Sequence, residues 1–231
     1  HKAIRRQRQM CIRDRSDYDY IAGLKSFQDG MYQIQDISSM LAGEYTAPKA
    51  GDTIVDVCGA PGGKSINAAL KMSEQGDCGR VIARDLSDYK VALIDENIKR
   101  LNITNIQTQV YDALDCDESL INKADIVIAD LPCSGLGIIG RKPDIKYNAS
   151  PEKLQSLVDL QRDILKVVSR YVKSGGVLMY STCTINRAEN EDNADWICKE
   201  SGFTKDGEYH QLLPANNSGM DGFFVARLIK N

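Results

Sequence analysis

Histidine is nearly absent from this sequence: the 231 residues hold only His1 and His210. A Ser-His-Asp or Cys-His enzyme would have to build its base from His210, since His1 is terminal. The usual zinc sites call for several histidines or clustered cysteines, and the seven cysteines, at 11, 58, 78, 116, 133, 183 and 198, form no Cys-x-x-Cys pair. An odd, scattered set fits reduced thiols in a cytosol better than a disulfide framework, and no metal is expected. No apolar run is long enough to cross a bilayer, no secretory signal pattern is visible, and there is no internal repeat or low-complexity tract. Chemistry in this chain therefore has to run on Cys, Asp, Lys or a cofactor.

What is present is enough apolar sequence for a sizeable core, 42% of residues, and a net charge of −3. The charge is unevenly spread. Residues 1–15 hold six Lys/Arg against one acid, so this stretch carries +5 and the remainder −8. The stretch reads either as a basic arm for RNA phosphates or as non-native sequence, and its foreign composition favours the second. Non-native sequence of this kind is expected to have no part in the fold. Nucleic-acid affinity in the acidic remainder must come from a local basic patch or a further domain.

From residue 51 short β-branched runs alternate with amphipathic stretches. Strands are expected at 53–57, 80–84, 106–111, 125–130 and 177–180, with a last one over 222–229. Helices are expected from about Gly63, over 87–101, and from Ser150-Pro151-Glu152, where Ser is a natural N-cap and Pro suits the first turn. That last helix carries Leu154, Leu157, Val158, Leu165, Val168 and Val172 on one face and ends at Lys173-Ser174-Gly175-Gly176. The alternation predicts a doubly wound α/β domain over 51–231, its sheet mostly parallel. Residues 16–50 lack the rhythm and read as a helical leader packed on the sheet.

The first strand runs into Asp56-Val57-Cys58-Gly59-Ala60-Pro61-Gly62-Gly63-Lys64-Ser65. Small residues between a strand and a helix let backbone amides approach a ligand at the carboxyl end of the sheet. A phosphate loop would need Gly at position 58, where Cys stands, and the dinucleotide fingerprint is absent as well. Further along come Gln35-Asp36-x-Ser38-Ser39, Asp85 after the second strand and Asp112 after the third. Then follow Asp130-Leu131-Pro132-Cys133-Ser134-Gly135-x-Gly137 with Arg141-Lys142-Pro143-Asp144-Ile145-Lys146. Tyr180-Ser181-Thr182-Cys183-Thr184 with Glu189-Asn190-Glu191, and Asp221-Gly222-Phe223-Phe224-Val225-Ala226-Arg227, complete the set.

This ordered set, from 18 to 230, resembles the RsmB/Sun group of S-adenosylmethionine-dependent RNA cytosine-5 methyltransferases. The resemblance implies a Rossmann-like class I methyltransferase fold with an antiparallel C-terminal strand. It implies S-adenosylmethionine held by Cys58, Gly59, Ala60, Pro61, Gly62, Gly63 and Lys64, with Asp85 on the ribose hydroxyls, Asp112 at the adenine, and Asp130. It further implies Cys183 as nucleophile, Cys133 assisting release and Asp130 at ring nitrogen 3, acting on RNA, most naturally 16S ribosomal RNA, in the cytoplasm. Gly59 stands where the group usually has Ala, and Lys90 where it often has Arg. Full-length members carry an N-terminal helical RNA-binding domain that these residues do not include.

The chemistry explains why such a site needs two thiols. Carbon 5 of cytosine is a poor nucleophile toward a methyl sulfonium; a thiolate added at carbon 6 raises its electron density. A free thiol is mostly protonated at neutral pH, so a cationic neighbour or backbone amides would have to favour the thiolate, and Lys64 is a candidate. Asp85 and Asp112 could instead be turn or capping residues, and Cys58, Cys78, Cys116 and Cys198 read as small buried hydrophobes. Arg141, Lys142 and Lys146 are the best local basic patch, whether for phosphate or as a solvated loop. Two other readings stay open: a same-fold methyltransferase with another acceptor, and a non-catalytic RNA-binding fragment.

Overall fold

A computed structural model describes residues 20–76, 79–214 and 221–231. The basic stretch 1–15 and Cys78 lie outside the described residues. Eight strands form one sheet: β1 (Thr53–Asp56), β2 (Arg80–Asp85), β3 (Ile106–Val110), β4 (Ala124–Asp130), β5 (Val172–Thr182), β6 (Phe203–Lys205), β7 (His210–Leu212) and β8 (Phe223–Lys230). The order is β3-β2-β1-β4-β5-β8-β6, with β7 also pairing β8. Strands β1 to β5 are parallel, and β8 runs antiparallel to β5. The expected doubly wound sheet with an antiparallel C-terminal strand is the one observed.

Alternate side chains of these strands enter opposite cores, as the period of two requires. Val55, Val127, Leu178, Tyr180 and Phe224 face one side, and Ile54, Ile126, Ile128, Met179 and Val225 the other. Of the five longer helices, α1 (Ile37–Thr46), α2 (Gly63–Glu74) and α3 (Asp88–Leu101) cover the second side. The first is covered by α4 (Pro151–Val168) and α5 (Glu191–Ser201). Capping matches the sequence: the Ser87 and Ser150 hydroxyls accept from the amides of Lys90 and Lys153.

Two expectations need correction. The helix α4 stops at Val168, and Val172 opens β5, opposite Ala124. Lys173-Ser174-Gly175-Gly176 therefore sits within a strand whose register shifts between Ala124 and Ile126, not at a helix end. The helix α5 and the antiparallel strands β6 and β7 were not foreseen at all.

In the leader, Asp36 caps α1 by accepting from the Ser38 amide, 2.9 Å. The Ser38 hydroxyl reaches the Asp221 carbonyl, 3.2 Å, which ties the leader to the entry of β8. The helix α1 packs on α2, β5 and β8, so the leader belongs to the same body as the sheet.

Candidate active site

Five parallel strands end along one edge, and the residues singled out in the sequence lie there. The loop after β1 turns on Gly62, whose φ of +104° is a left-handed conformation that a side chain would disfavour. Gly62 is also the N-cap of α2 and offers no side chain to cap it, so the first amides of α2 remain available to a ligand. Asp85 is buried at the end of β2 and holds this loop: its Oδ2 accepts from the Ala60 amide, 3.0 Å, and its Oδ1 from the Leu86 amide, 2.8 Å. Lys90 pairs with the same Oδ1 at 3.0 Å. Asp112, half-buried beyond β3, accepts from the Leu114 amide at 2.9 Å, so the turn role is realised and its second oxygen carries no part of that bond. The loop's open amides and the carboxylates at the ends of adjacent strands suit a ligand bearing hydroxyls and positive charge. S-adenosylmethionine, with its ribose, ammonium and sulfonium, meets that description.

Beneath the loop Asp56 is fully buried and accepts from the Ser65 hydroxyl, 2.6 Å, through Oδ2, while Oδ1 finds no partner. Burial, opposed by the Ser65 bond and the Lys64 charge, pushes its carboxyl up to about 6. A methyl group at Gly59 would lie 3.3 Å from the Asp56 carboxylate, so glycine here gives the loop slack that alanine would remove. The Cys58 thiol is pushed far up by burial and by the charges of Asp56, Asp85 and Asp130, which fits a packing residue and not a nucleophile. Cys116 and Cys198 pack half-buried against the core, as expected.

Strands β4 and β5 bring the reactive groups together. Asp130 ends β4 opposite Ser181 and takes the Ser181 hydroxyl on Oδ1, 2.8 Å. On Oδ2 it takes Lys64 Nζ, 2.5 Å, and Lys64 also donates to Ser39 Oγ, 3.2 Å. The Lys64 ammonium sits 5.4 Å from the centre of the Phe223 ring, so the motifs of the leader, the α2 entry, β4 and β8 meet on this one side chain. The Sγ atoms of Cys133 and Cys183 are 3.1 Å apart. Accepting from Cys133 holds the Cys183 thiol below its ordinary value; burial works against this and the Lys64 charge adds to it. The Cys133 thiol is pushed far above the ordinary range by the same hydrogen bond and by burial. The thiolate is thus favoured on Cys183 chiefly by the second cysteine; the lysine that the sequence suggested contributes least, and the Asp130 charge beside it works the other way.

The chain after Cys133 returns to the site through Gly137. Its amide donates to the Cys183 carbonyl, 3.1 Å, and its carbonyl accepts from Gly222, 2.8 Å. A side chain there would collide with the Gly222 carbonyl oxygen, which accounts for the glycine. In the basic patch, Arg141 is engaged by Asp36 at 2.6 Å and Asp221 at 3.1 Å, while Lys142 and Lys146 are exposed. Missed by the sequence reading were the roles of Gln161, Glu189 and Asn190, fully buried polar residues next to the two cysteine loops. The signal for Glu189 and Asn190 is the Glu189-Asn190-Glu191 motif in the segment that follows β5. Among the described residues no three His, Cys, Asp or Glu side chains are grouped to hold a metal, and no helix is long and apolar enough to cross a membrane.

Comparison with known proteins adds to this geometry. The family model described as 16S rRNA methyltransferase RsmB/F matches residues 44–229. The probable ribosomal RNA small subunit methyltransferase B of Bacillus subtilis is 38% identical over 91% of this chain and 50% of its own length. Its counterpart in Synechocystis is 34% identical with the same coverage. The chain spans about half the length of the curated relatives it matches. Among solved structures, NSun6 from Pyrococcus horikoshii with SFG, an S-adenosylmethionine analogue, superposes with a TM-score of 0.81 at 28% identity, covering 92% of this chain and 56% of that one.

Proposed function

The chain belongs to the 16S rRNA methyltransferase RsmB/F family, and from that membership we propose that it transfers a methyl group from S-adenosylmethionine to carbon 5 of a cytosine in small-subunit ribosomal RNA. The observation that carries the reading is the pair of sulfurs 3.1 Å apart beside the Lys64–Asp130 ion pair, at the strand edge where the open-amide loop lies. Methylation of an amine or oxygen needs no thiol adduct and gives no reason for two cysteines in that arrangement. The setting is cytosolic, where both thiols stay reduced.

S-adenosylmethionine, when bound, supplies an electrophilic methyl on a sulfonium. The segment Cys58–Lys64 would take its methionine and ribose portion, Asp85 the ribose hydroxyls and Asp112 the adenine, with Asp130 at the inner end of the site. Cys183 attacks carbon 6 as the thiolate, and ring nitrogen 3 must gain a proton as the ring accepts the sulfur's electron pair. Asp130 partners that nitrogen, and Lys64, bonded to its Oδ2, holds the proton to be passed. Carbon 5 then carries the added electron density and takes the methyl. Once a base has removed the proton left on carbon 5, the bond from carbon 6 to Cys183 breaks, its electron pair returns to sulfur, and nitrogen 3 gives its proton back to the Lys64–Asp130 pair. Cys133 assists, because the hydrogen bond that favours the Cys183 thiolate before attack favours it equally as a leaving group. A target base must be unstacked or single-stranded for the thiol to reach carbon 6. The test is transfer of labelled methyl to 16S ribosomal RNA followed by mapping of the modified base. Label on carbon 5 of a cytosine supports the reading, and label on any other atom removes it.

A further inference from the structure

The ladder between β4 and β5 ends at Asp130 and Ser181, with one last bond from the Leu131 amide to the Ser181 carbonyl, 3.1 Å. Past it the Cys133 segment leaves the sheet, whereas Thr182 still pairs with Phe224 of β8, and the two segments meet again where the Gly137 amide donates to the Cys183 carbonyl. Between those points side chains alone join the Cys133 segment to its surroundings and to Thr184.

Those side chains form two grips. Glu189 is fully buried, and its Oε2 accepts from the Ser134 amide, 2.9 Å, and from Gln161 Nε2, 3.0 Å. Its Oε1 accepts from the Ser134 hydroxyl, 2.6 Å, and from Asn186 Nδ2, 2.9 Å. Gln161 Nε2 also donates to the Pro132 carbonyl, 2.9 Å. The residues on either side of Cys133 are thus held by one carboxylate–amide pair. Asn190 treats Cys183 the same way: its Oδ1 accepts from the Thr182 hydroxyl, 2.5 Å, and its Nδ2 donates to the Thr184 carbonyl, 3.0 Å. A contact between the Ser134 and Thr184 hydroxyls, 2.8 Å, joins the grips. All four donors to Glu189 are neutral, and an apolar side chain in its place would leave them unpaired, so the carboxylate is what ties these groups together.

We propose that Glu189 and Asn190 are separate positioning residues for the two sulfurs, Glu189 placing Cys133 and Asn190 placing Cys183. The inference rests on the covalent reading above and adds a division of labour to it. Loosening the Glu189 grip displaces Cys133 while Thr182–Thr184 stays held, so attack survives and release suffers. Loosening the Asn190 grip frees the nucleophile, so attack itself is lost.

The test compares wild type with Glu189→Gln and Asn190→Ala, after thermal unfolding has shown which variants fold. Ser134→Ala and Thr182→Val, which each remove one arm of a grip, stand in for a variant that does not fold. The first readout needs no RNA. Diamide takes two electrons and two protons from a pair of thiols to give a disulfide, and mass spectrometry follows closure of Cys133 onto Cys183. Displacing either sulfur should slow closure about tenfold or more, since proximity sets such rates. The second readout supplies a 16S ribosomal RNA transcript and S-adenosylmethionine and looks for a protein–RNA adduct under denaturing conditions. Glu189→Gln should accumulate adduct, whereas Asn190→Ala should form neither adduct nor product. Unchanged closure rates in folded variants overturn the proposal, as does equal loss of adduct in both. If Cys133→Ala, in which release should be slow, accumulates no adduct, the covalent reading fails, and the closure rates of the Glu189 and Asn190 variants still decide the positioning.

Discussion

Cys133 and Cys183 stand 50 residues apart in the sequence, and their sulfurs share a hydrogen bond of 3.1 Å. Either sulfur can donate in this bond, and with the proton on Cys133, whose thiol burial also pushes up, negative charge on Cys183 is stabilised. Removing the donor should raise the Cys183 pKa, since its largest lowering cause goes while burial remains. In Cys133→Ala the pH profile of Cys183 alkylation by iodoacetamide, followed by mass spectrometry, should move to higher pH. A profile that stays in place means the thiolate is favoured by other groups.

The same pair should separate in its chemistry. Cys183→Ala should lose methyl transfer and the protein–RNA adduct together, whereas Cys133→Ala should still attack, release slowly and build up an adduct stable to denaturing electrophoresis. Swapped phenotypes would reverse the assignment of the two cysteines. Full activity in both variants would remove covalent catalysis by this pair.

For the cofactor, Asp85→Ala should weaken S-adenosylmethionine binding by about 1–3 kcal/mol, the cost of leaving polar partners unpaired. Loss of the bond to the Ala60 amide adds to the effect by freeing the loop. Calorimetric titration with an unchanged Kd would take Asp85 out of the site.

Asp56 gives a stability prediction of defined sign. The unfolded chain ionises this carboxyl near 3.8 and the folded protein at about 6, so the folded state holds the extra proton between those values. The group's contribution is full at the acid end of that window, falls as the pH rises through it, and is lost above about 6. Asp56→Asn, which keeps an acceptor for Ser65, should raise urea stability at neutral pH by about 1–3 kcal/mol and leave it nearly unchanged near pH 4. An equal effect at both pH values would mean that burial of charge is not the cause.

Much of the sheet was legible because β1, β2 and β4 are apolar runs of the right length between turn residues, and α4 announced its start with Ser150-Pro151. The beginning of β5 was not, because Gly175-Gly176 is an ordinary helix stop. Only the pairing of Val172 with Ala124 carries the strand back to that point. Strands β6 and β7 have three residues each, too few for a pattern, and exist because β8 offers them an edge on which to pair. In α5 the buried positions include Asn193 beside Ala194 and Ile197, and the surrounding acids Glu191, Asp192 and Asp195 blur the apolar face.

By itself the sequence determined the alternation of strands and helices, the order of the motifs and the identities of the two thiols, the carboxylates and the lysine, because local periodicity and residue chemistry are properties of short stretches. Tertiary structure decided which of these groups act on one another. Parallel pairing of β4 with β5 put Cys133 against Cys183 and made one thiol the hydrogen-bond partner of the other. Packing of α4 and the Asn186–Asn190 turn against that edge placed Gln161, Glu189 and Asn190 around the two loops. Hydrogen bonds and thiol pKa values depend on distances of a few ångströms between residues far apart in the chain, and those distances exist only once the sheet has formed.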